Sequence, residues 1–229
     1  MKKILGAIVR FHLTLVLLYL SIALGWTMVE LPANLDRHSA LLPGSIGFAS
    51  GLILFSIGCR FLALYVVGHE LTHWLAAKLF LRKTGTFRVG SASGCVAVER
   101  PNVWIVLAPY FIPVYTLIWI GFYGVFCFWH GPATGRIAQL FHAGVGFSYA
   151  FHTVLTFQAL LHGQQDLRLY GRTFSLSLIL FCNLAILLVC LIVASRQFSY
   201  GTQLFARHVS TMWQPLSIVC HKLWLACIR

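Results

Sequence analysis

The sequence predicts an all-α polytopic membrane protein of about five to six transmembrane helices, with one short β-hairpin after a motif-bearing helix. Three observations carry that fold class. Of the 229 residues, 59% are hydrophobic and only 10% charged, whereas a soluble domain is roughly a quarter charged. Charge-free stretches at 11–29, 38–59, 101–135, 137–165 and 173–195 are each near or above the roughly 17 to 25 residues that a helical span requires. The basic residues, 17 against 5 acidic, are spread between these blocks, which is the pattern of loop topology and not of a nucleic-acid-binding face. A soluble globular protein is thereby excluded. The lipid bilayer is the expected partner and nucleic acid is not.

In chain order, Lys2, Lys3 and Arg10 precede the first apolar block. That arrangement shares features with a signal peptide, but a run of 19 uncharged residues favours a retained anchor. The second stretch does not stop cleanly. After Arg60, apolar residues 61–68 lead into His69-Glu70-Leu71-Thr72-His73 and on to Phe80. Either one long helix crosses once, or a break at Arg60 makes two crossings. With one crossing and a cytoplasmic N-terminus, ten basic residues lie inside, including the cluster of Lys78, Arg82, Lys83, Arg88 and Arg100, against six outside. Two crossings would export that cluster, against the positive-inside bias. Five principal spans are therefore favoured, in a bacterial-type inner (plasma) membrane, with Arg60 at bilayer depth facing protein or a wet cavity.

Residues 84–99 change character. Thr86-Phe87-Arg88-Val89 and Cys95-Val96-Ala97-Val98 flank Gly90-Ser91-Ala92-Ser93-Gly94, the pattern of a β-hairpin with a glycine-serine turn. The tail, 197–229, is apolar and basic, is interrupted by Pro215, and leaves only 14 uncharged residues from His208 to His221. An interfacial helix is expected there. Seven cysteines form no CxxC pair and are odd in number, which favours apolar packing over disulfides or a thiolate metal site. The organisation expected is an anchor helix and external loop over 1–43, a core over 44–174 that holds the motif helix, the hairpin, two further spans and the loop with Asp166, and a last span with its tail over 175–229.

The chemistry concentrates in His69-Glu70-Leu71-Thr72-His73, an HExxH string within a helical pattern. A separation of four residues is about 40° around a helix, so both imidazoles project from one face and can grip one Zn²⁺. Glu70 lies about 100° from His69, where it can act on the attacking water as general base without being a ligand. A bland alternative makes the histidines packing residues and pairs Glu70 with a cation such as Arg60. A carboxylate at a membrane helix end is costly without a role, so the metal site is preferred.

A catalytic zinc has three protein ligands and an open position. The acidic residues are Glu30, Asp36, Glu70, Glu99 and Asp166. The expected topology removes Glu30 and Asp36 to the far side, and Glu99 is followed by Arg100-Pro101, where an ion pair is the cheaper explanation. Asp166 follows the fourth span, which returns to the side where the motif helix ends, and is the best candidate. His162 is the rival. His152 and Gln158 are read as interhelical hydrogen-bonding groups, and an N-cap or an ion pair with Arg168 or Arg172 is the alternative role for Asp166.

The run His69-Glu70-Leu71-Thr72-His73-Trp74-Leu75-Ala76-Ala77 in a membrane helix, then a hairpin, a span with Pro109 and Pro113, and a later span followed by Asp166 resembles the site-2 protease family of intramembrane zinc metalloproteases. The resemblance covers about residues 66–171. It implies a three-helix catalytic core, zinc held by His69, His73 and Asp166, Glu70 as the base, and hydrolysis of peptide bonds in or near transmembrane segments of single-span or other membrane proteins. Asp166 is followed here by Leu167-Arg168, where the family commonly has Asp-Gly. Two other functions are weighed: a non-proteolytic membrane protein that binds or transports metal, and a catalytically silent relative that binds transmembrane segments. Polar residues clustered at one level disfavour a conduction path, and an intact Glu70 disfavours a silent relative.

Overall fold

A computed structural model describes residues 2–31, 40–57, 61–90, 94–161, 165–195 and 197–228. The described residues are mostly helical, at 84%, and include one small antiparallel sheet. The helices, among the described residues, are α1 (Lys2–Glu30), α2 (Leu42–Ser56), α3 (Leu62–Leu79), α4 (Val103–Leu107), α5 (Val114–His130), α6 (Gly135–Leu161), α7 (Gln165–Leu169), α8 (Arg172–Ser195) and α9 (Phe198–Ile228). A 3₁₀ turn, Ala108–Tyr110, follows α4 directly, and strands β1 (Thr84–Val89) and β2 (Gly94–Val98) lie between α3 and α4. The chain divides into two compact units, one of residues 1–35 and 176–229, the other of residues 36–175.

Among the described residues, two helical segments are long and apolar enough to cross a membrane, Ile4–Glu30 and Arg172–Val193. The pair Val103–Tyr110 and Val114–His130 passes the same test jointly but is bent by 77°. The stretch expected as one straight span over 101–135 is thus broken, and the reason lies in its prolines. Pro109 and Pro113 lack the amide hydrogen that would continue an i→i−4 ladder, and each biases the residue before it out of the helical region. The favoured single long helix across 38–80 is likewise replaced by two helices. α2 ends at Ser56, and Phe61, before α3, has a left-handed φ of 33°, a conformation no helix passes through. Arg60 itself lies outside the described residues.

In the first unit, Leu24, Leu31, Leu188 and Ile192 form a core on which Met28, Phe181 and Phe205 pack. Hydroxyls on α1 are satisfied within the helix: Thr14, Ser21 and Thr27 each donate to the carbonyl four residues back. Such back-bonding is how an apolar helix carries serine and threonine without orphaned polar groups. The tail is a helix, as expected, but α9 runs through Pro215 instead of stopping there.

In the second unit, α2 lies along α6. A Cβ on Gly47 would fall 2.0 Å from the Ala143 carbonyl oxygen, and one on Gly146 equally close to that of Gly44. Only glycine allows the two backbones this approach, the device of small-residue helix interfaces in membranes. Phe55, Phe151, Val154 and Leu155 close the same seam, with Tyr65 and Tyr115 against them. The hairpin forms where its alternation predicts it. β1 and β2 pair antiparallel, Phe87 opposite Val96 and Val89 opposite Gly94, with an irregularity between Thr84 and Phe87. Cys182 is buried as a packing residue, whereas Cys95 and Cys190 are exposed, so packing accounts for only part of the cysteine set.

Candidate metal centre

The site begins on α3. Its buried residues include Val66, Gly68, Glu70, Thr72, Ala76 and Ala77, which turn one side of the helix into protein. The four-residue spacing stacks His69 and His73 with ring centroids 4.9 Å apart and planes at 79°. Nδ1–H of His73 donates to the Ile105 carbonyl at 2.9 Å. A proton held on Nδ1 leaves the Nε2 lone pair free, which is the usual way a ligating imidazole is oriented. α4 presents that carbonyl because Asn102 caps it, its side-chain oxygen accepting from the Ile105 amide at 2.9 Å.

The third group arrives from α7. Oδ2 of Asp166 lies 3.8 Å from Nε2 of His69 and 3.7 Å from Nε2 of His73. One ligand atom from each of the three residues lies within 4.8 Å of the others, so the group could hold a metal ion. For tetrahedral ligation at about 2.0–2.2 Å, neighbouring donor atoms stand about 3.3–3.6 Å apart, so the set needs only a small contraction. The hydroxyl of Tyr110 donates to the same Oδ2 at 2.8 Å. Burial opposes the charge on Asp166, but the neighbouring imidazoles of His69 and His73 and the hydrogen bond from Tyr110 outweigh it and hold the carboxyl well below the usual carboxylate range. These neighbours favour the anionic form of Asp166, the form in which a carboxylate ligates a metal. Asp166 stands inside the first turn of α7 and, among the described residues, makes no arginine pair, the other role expected for it, while the buried Leu167 beside it anchors the short helix.

Glu70 is buried, at 9% exposure, on the hairpin side of α3. A Cβ on Gly94 would lie 2.5 Å from Cγ of Glu70 and 2.9 Å from Cγ1 of Val66. The first residue of β2 thus closes directly over the Glu70 side chain, and its glycine leaves the carboxylate room. Glu99 is exposed and joins no metal-holding group, and among the described residues it makes no ion pair, so the pairing with Arg100 expected for it is not formed. His162, the rival third ligand, lies outside the described residues, as does Asp36.

Sequence reasoning missed three participants. Tyr65 places its hydroxyl 3.4 Å from Nδ1 of His69, and the signal was available, since Tyr65 stands one helical turn before that histidine. Tyr110 and the Ile105 carbonyl gave no such signal, because the bend after Tyr110 is what turns them inward. A second polar group, also unforeseen, lies in the other unit. Glu30 of α1 pairs with Arg207 and with Nε2 of His208, each at 3.1 Å, and Nδ1 of His208 meets Thr27 Oγ1 at 3.0 Å. No family model, curated protein or solved structure matches this chain.

Proposed function

We propose that this protein is an intramembrane zinc endopeptidase of the site-2 protease type, hydrolysing peptide bonds in or near transmembrane segments of membrane proteins. The observation that carries the reading is the meeting of His69, His73 and Asp166 around one point, with the buried carboxylate of Glu70 on the same helix. Two imidazoles and one carboxylate with a fourth position open are the donor set of a catalytic zinc, not of a closed structural one. When bound, the ion supplies Lewis-acid polarisation of the scissile carbonyl and acidifies the attacking water.

The chain's own residues supply the rest. Glu70 takes the proton of the attacking water and returns it to the leaving amide nitrogen, so one carboxylate serves as base and then as acid. His73 is held in its ligating tautomer by Ile105, and Asp166 offers the anionic donor. A substrate helix shields its own scissile bond with backbone hydrogen bonds and must unwind to be cut. The two-stranded sheet has an outer edge on each strand, and β2 begins against Glu70. An unwound segment added to that edge by β-augmentation would be drawn past the base.

The finer membrane reading belongs with this proposal: five to six spans, an N-terminus in the cytoplasm, an inner or plasma membrane, and a shallow site at the cytoplasmic border where water enters. The test is reconstitution with a panel of single-span substrates. Cleavage that stops after treatment with a strong chelator and returns with stoichiometric Zn²⁺ supports the reading. Tight metal binding without cleavage of any panel member contradicts it in favour of a non-proteolytic metal-binding protein.

A further inference from the structure

We propose that Tyr110 is a positioning residue of the metal centre, whose hydroxyl holds Asp166 in place as the third ligand and so sets the affinity for the ion. The proposal rests on the metal-binding part of the reading above and not on its proteolytic part. Two of the three candidate ligands share one helix, where a four-residue spacing presets their separation. Asp166 has no comparable frame. It stands in the first turn of a five-residue helix, and a helix of that length does not by itself hold a carboxylate rotamer.

The contacts around Asp166 separate anchoring from aiming. Leu167 is buried at 1% exposure, and its carbonyl accepts from the Ser175 hydroxyl at 3.2 Å. These fix the backbone beside Asp166 but do not reach its carboxylate. The hydroxyl of Tyr110 does, at 2.8 Å from Oδ2. That same oxygen is the one nearest both imidazole Nε2 atoms, at 3.8 and 3.7 Å, so the phenol bonds the very atom that would ligate. Tyr110 is itself immobilised: it is fully buried, and its ring stands edge-on to the His69 ring at 5.3 Å and 84°. One side chain thus braces a ligand from α3 and aims a ligand from α7.

The bent segment explains how Tyr110 gets there. It is the last residue of the 3₁₀ turn before the 77° bend, and α4, which leads into the same turn, presents the Ile105 carbonyl to His73. One broken segment therefore supplies an outer partner to two ligands. Outer partners of this kind are worth 10- to 100-fold in metal affinity.

The test uses the full chain purified in detergent, stripped of metal and titrated with Zn²⁺ against a chromophoric chelator, with Co²⁺ absorption as a probe of ligand geometry. Y110F should weaken Zn²⁺ binding by about 10- to 100-fold and alter the Co²⁺ bands, while the metal-free protein melts as the wild type does. On a D166A background the same substitution should change the residual affinity by less than about twofold, because residues that act through one another are not additive. Wild-type affinity and an unchanged Co²⁺ spectrum in Y110F overturn the proposal. An equal loss on the D166A background also overturns it, since the effect would then come from the ring against His69. Wild-type protein that binds Zn²⁺ and cleaves nothing contradicts the protease reading alone, because the affinity ratio still decides the role of Tyr110.

Discussion

Asp166 has nothing local that marks it as a ligand, since Leu167-Arg168 follow it where a glycine is usual in the family it resembles. It was legible because carboxylates are so scarce here that each one requires a reason. The structure adds the reason that scarcity alone lacks, a carboxylate held between two imidazoles and a phenol. D166A is expected to lower Zn²⁺ stoichiometry in purified protein while it remains folded, whereas E99A and H162A retain the ion, as read by elemental analysis. Full occupancy in D166A with loss in H162A would move the third-ligand role to His162. Tyr110 was not legible, because a tyrosine between prolines in an apolar stretch has no periodicity to betray what it faces. Glu30 and His208 were illegible for a related reason: they are 178 positions apart in the chain, and no local pattern joins them.

The motif helix and the hairpin were legible because their signals are local. A four-residue spacing and a period-two alternation need only their own segments. The breaks were less so: α2 and α3 part near Phe61, where Arg60 left one helix or two open and the charge count favoured one, and α4 and α5 part after Tyr110, where the stretch carries no charge to mark the bend. Gly94 links hairpin to helix, and its test is direct. Gly94→Ala places a methyl 2.5 Å from the Glu70 side chain, so the strand or the base must shift. A misplacement on the order of 1 Å at a reacting group costs about 100-fold in rate, so turnover should fall by that order with metal content unchanged. Loss of metal together with activity would mean that the hairpin holds the ligands and not the base.

The pairing of α1 with α9 is equally testable. His208 is buried and bonded to both Glu30 and Thr27, and its ring stacks on Trp26 at 5.3 Å. H208A leaves Glu30 with Arg207 and Thr27 with the Ala23 carbonyl but removes a buried ring and its bonds to both, a loss of about 0.5–3 kcal/mol. Thermal unfolding in detergent should show a lowered transition, and metal content, which depends on the other unit, should stay at the wild-type level.

For the whole molecule, composition and charge point to a membrane protein, and among the described residues two helices are long and apolar enough to cross. Span number and sidedness were argued from positive charge, a statistical bias across loops, and not from packing. The expected topology puts the hairpin and the α6–α8 connection on one side with the N-terminus. Cys95, native and exposed on the hairpin, serves as one reporter and Arg168→Cys as the other, each as the sole cysteine. Both should react with a membrane-impermeant thiol reagent from the cytoplasmic face. Reaction from opposite faces would contradict the topology and the route by which Asp166 reaches the motif helix.

The central claim, that Glu70 acts as the base beside a metal held by other residues, is tested most directly by one paired measurement. Zn²⁺ content and cleavage of a single-span substrate are determined on the same preparations of wild type and Glu70→Gln. Loss of a general base costs about 100- to 10,000-fold, so the variant should bind one ion per chain as the wild type does and lose turnover by at least the lower factor. Undiminished turnover in a metal-loaded Glu70→Gln protein would contradict the account.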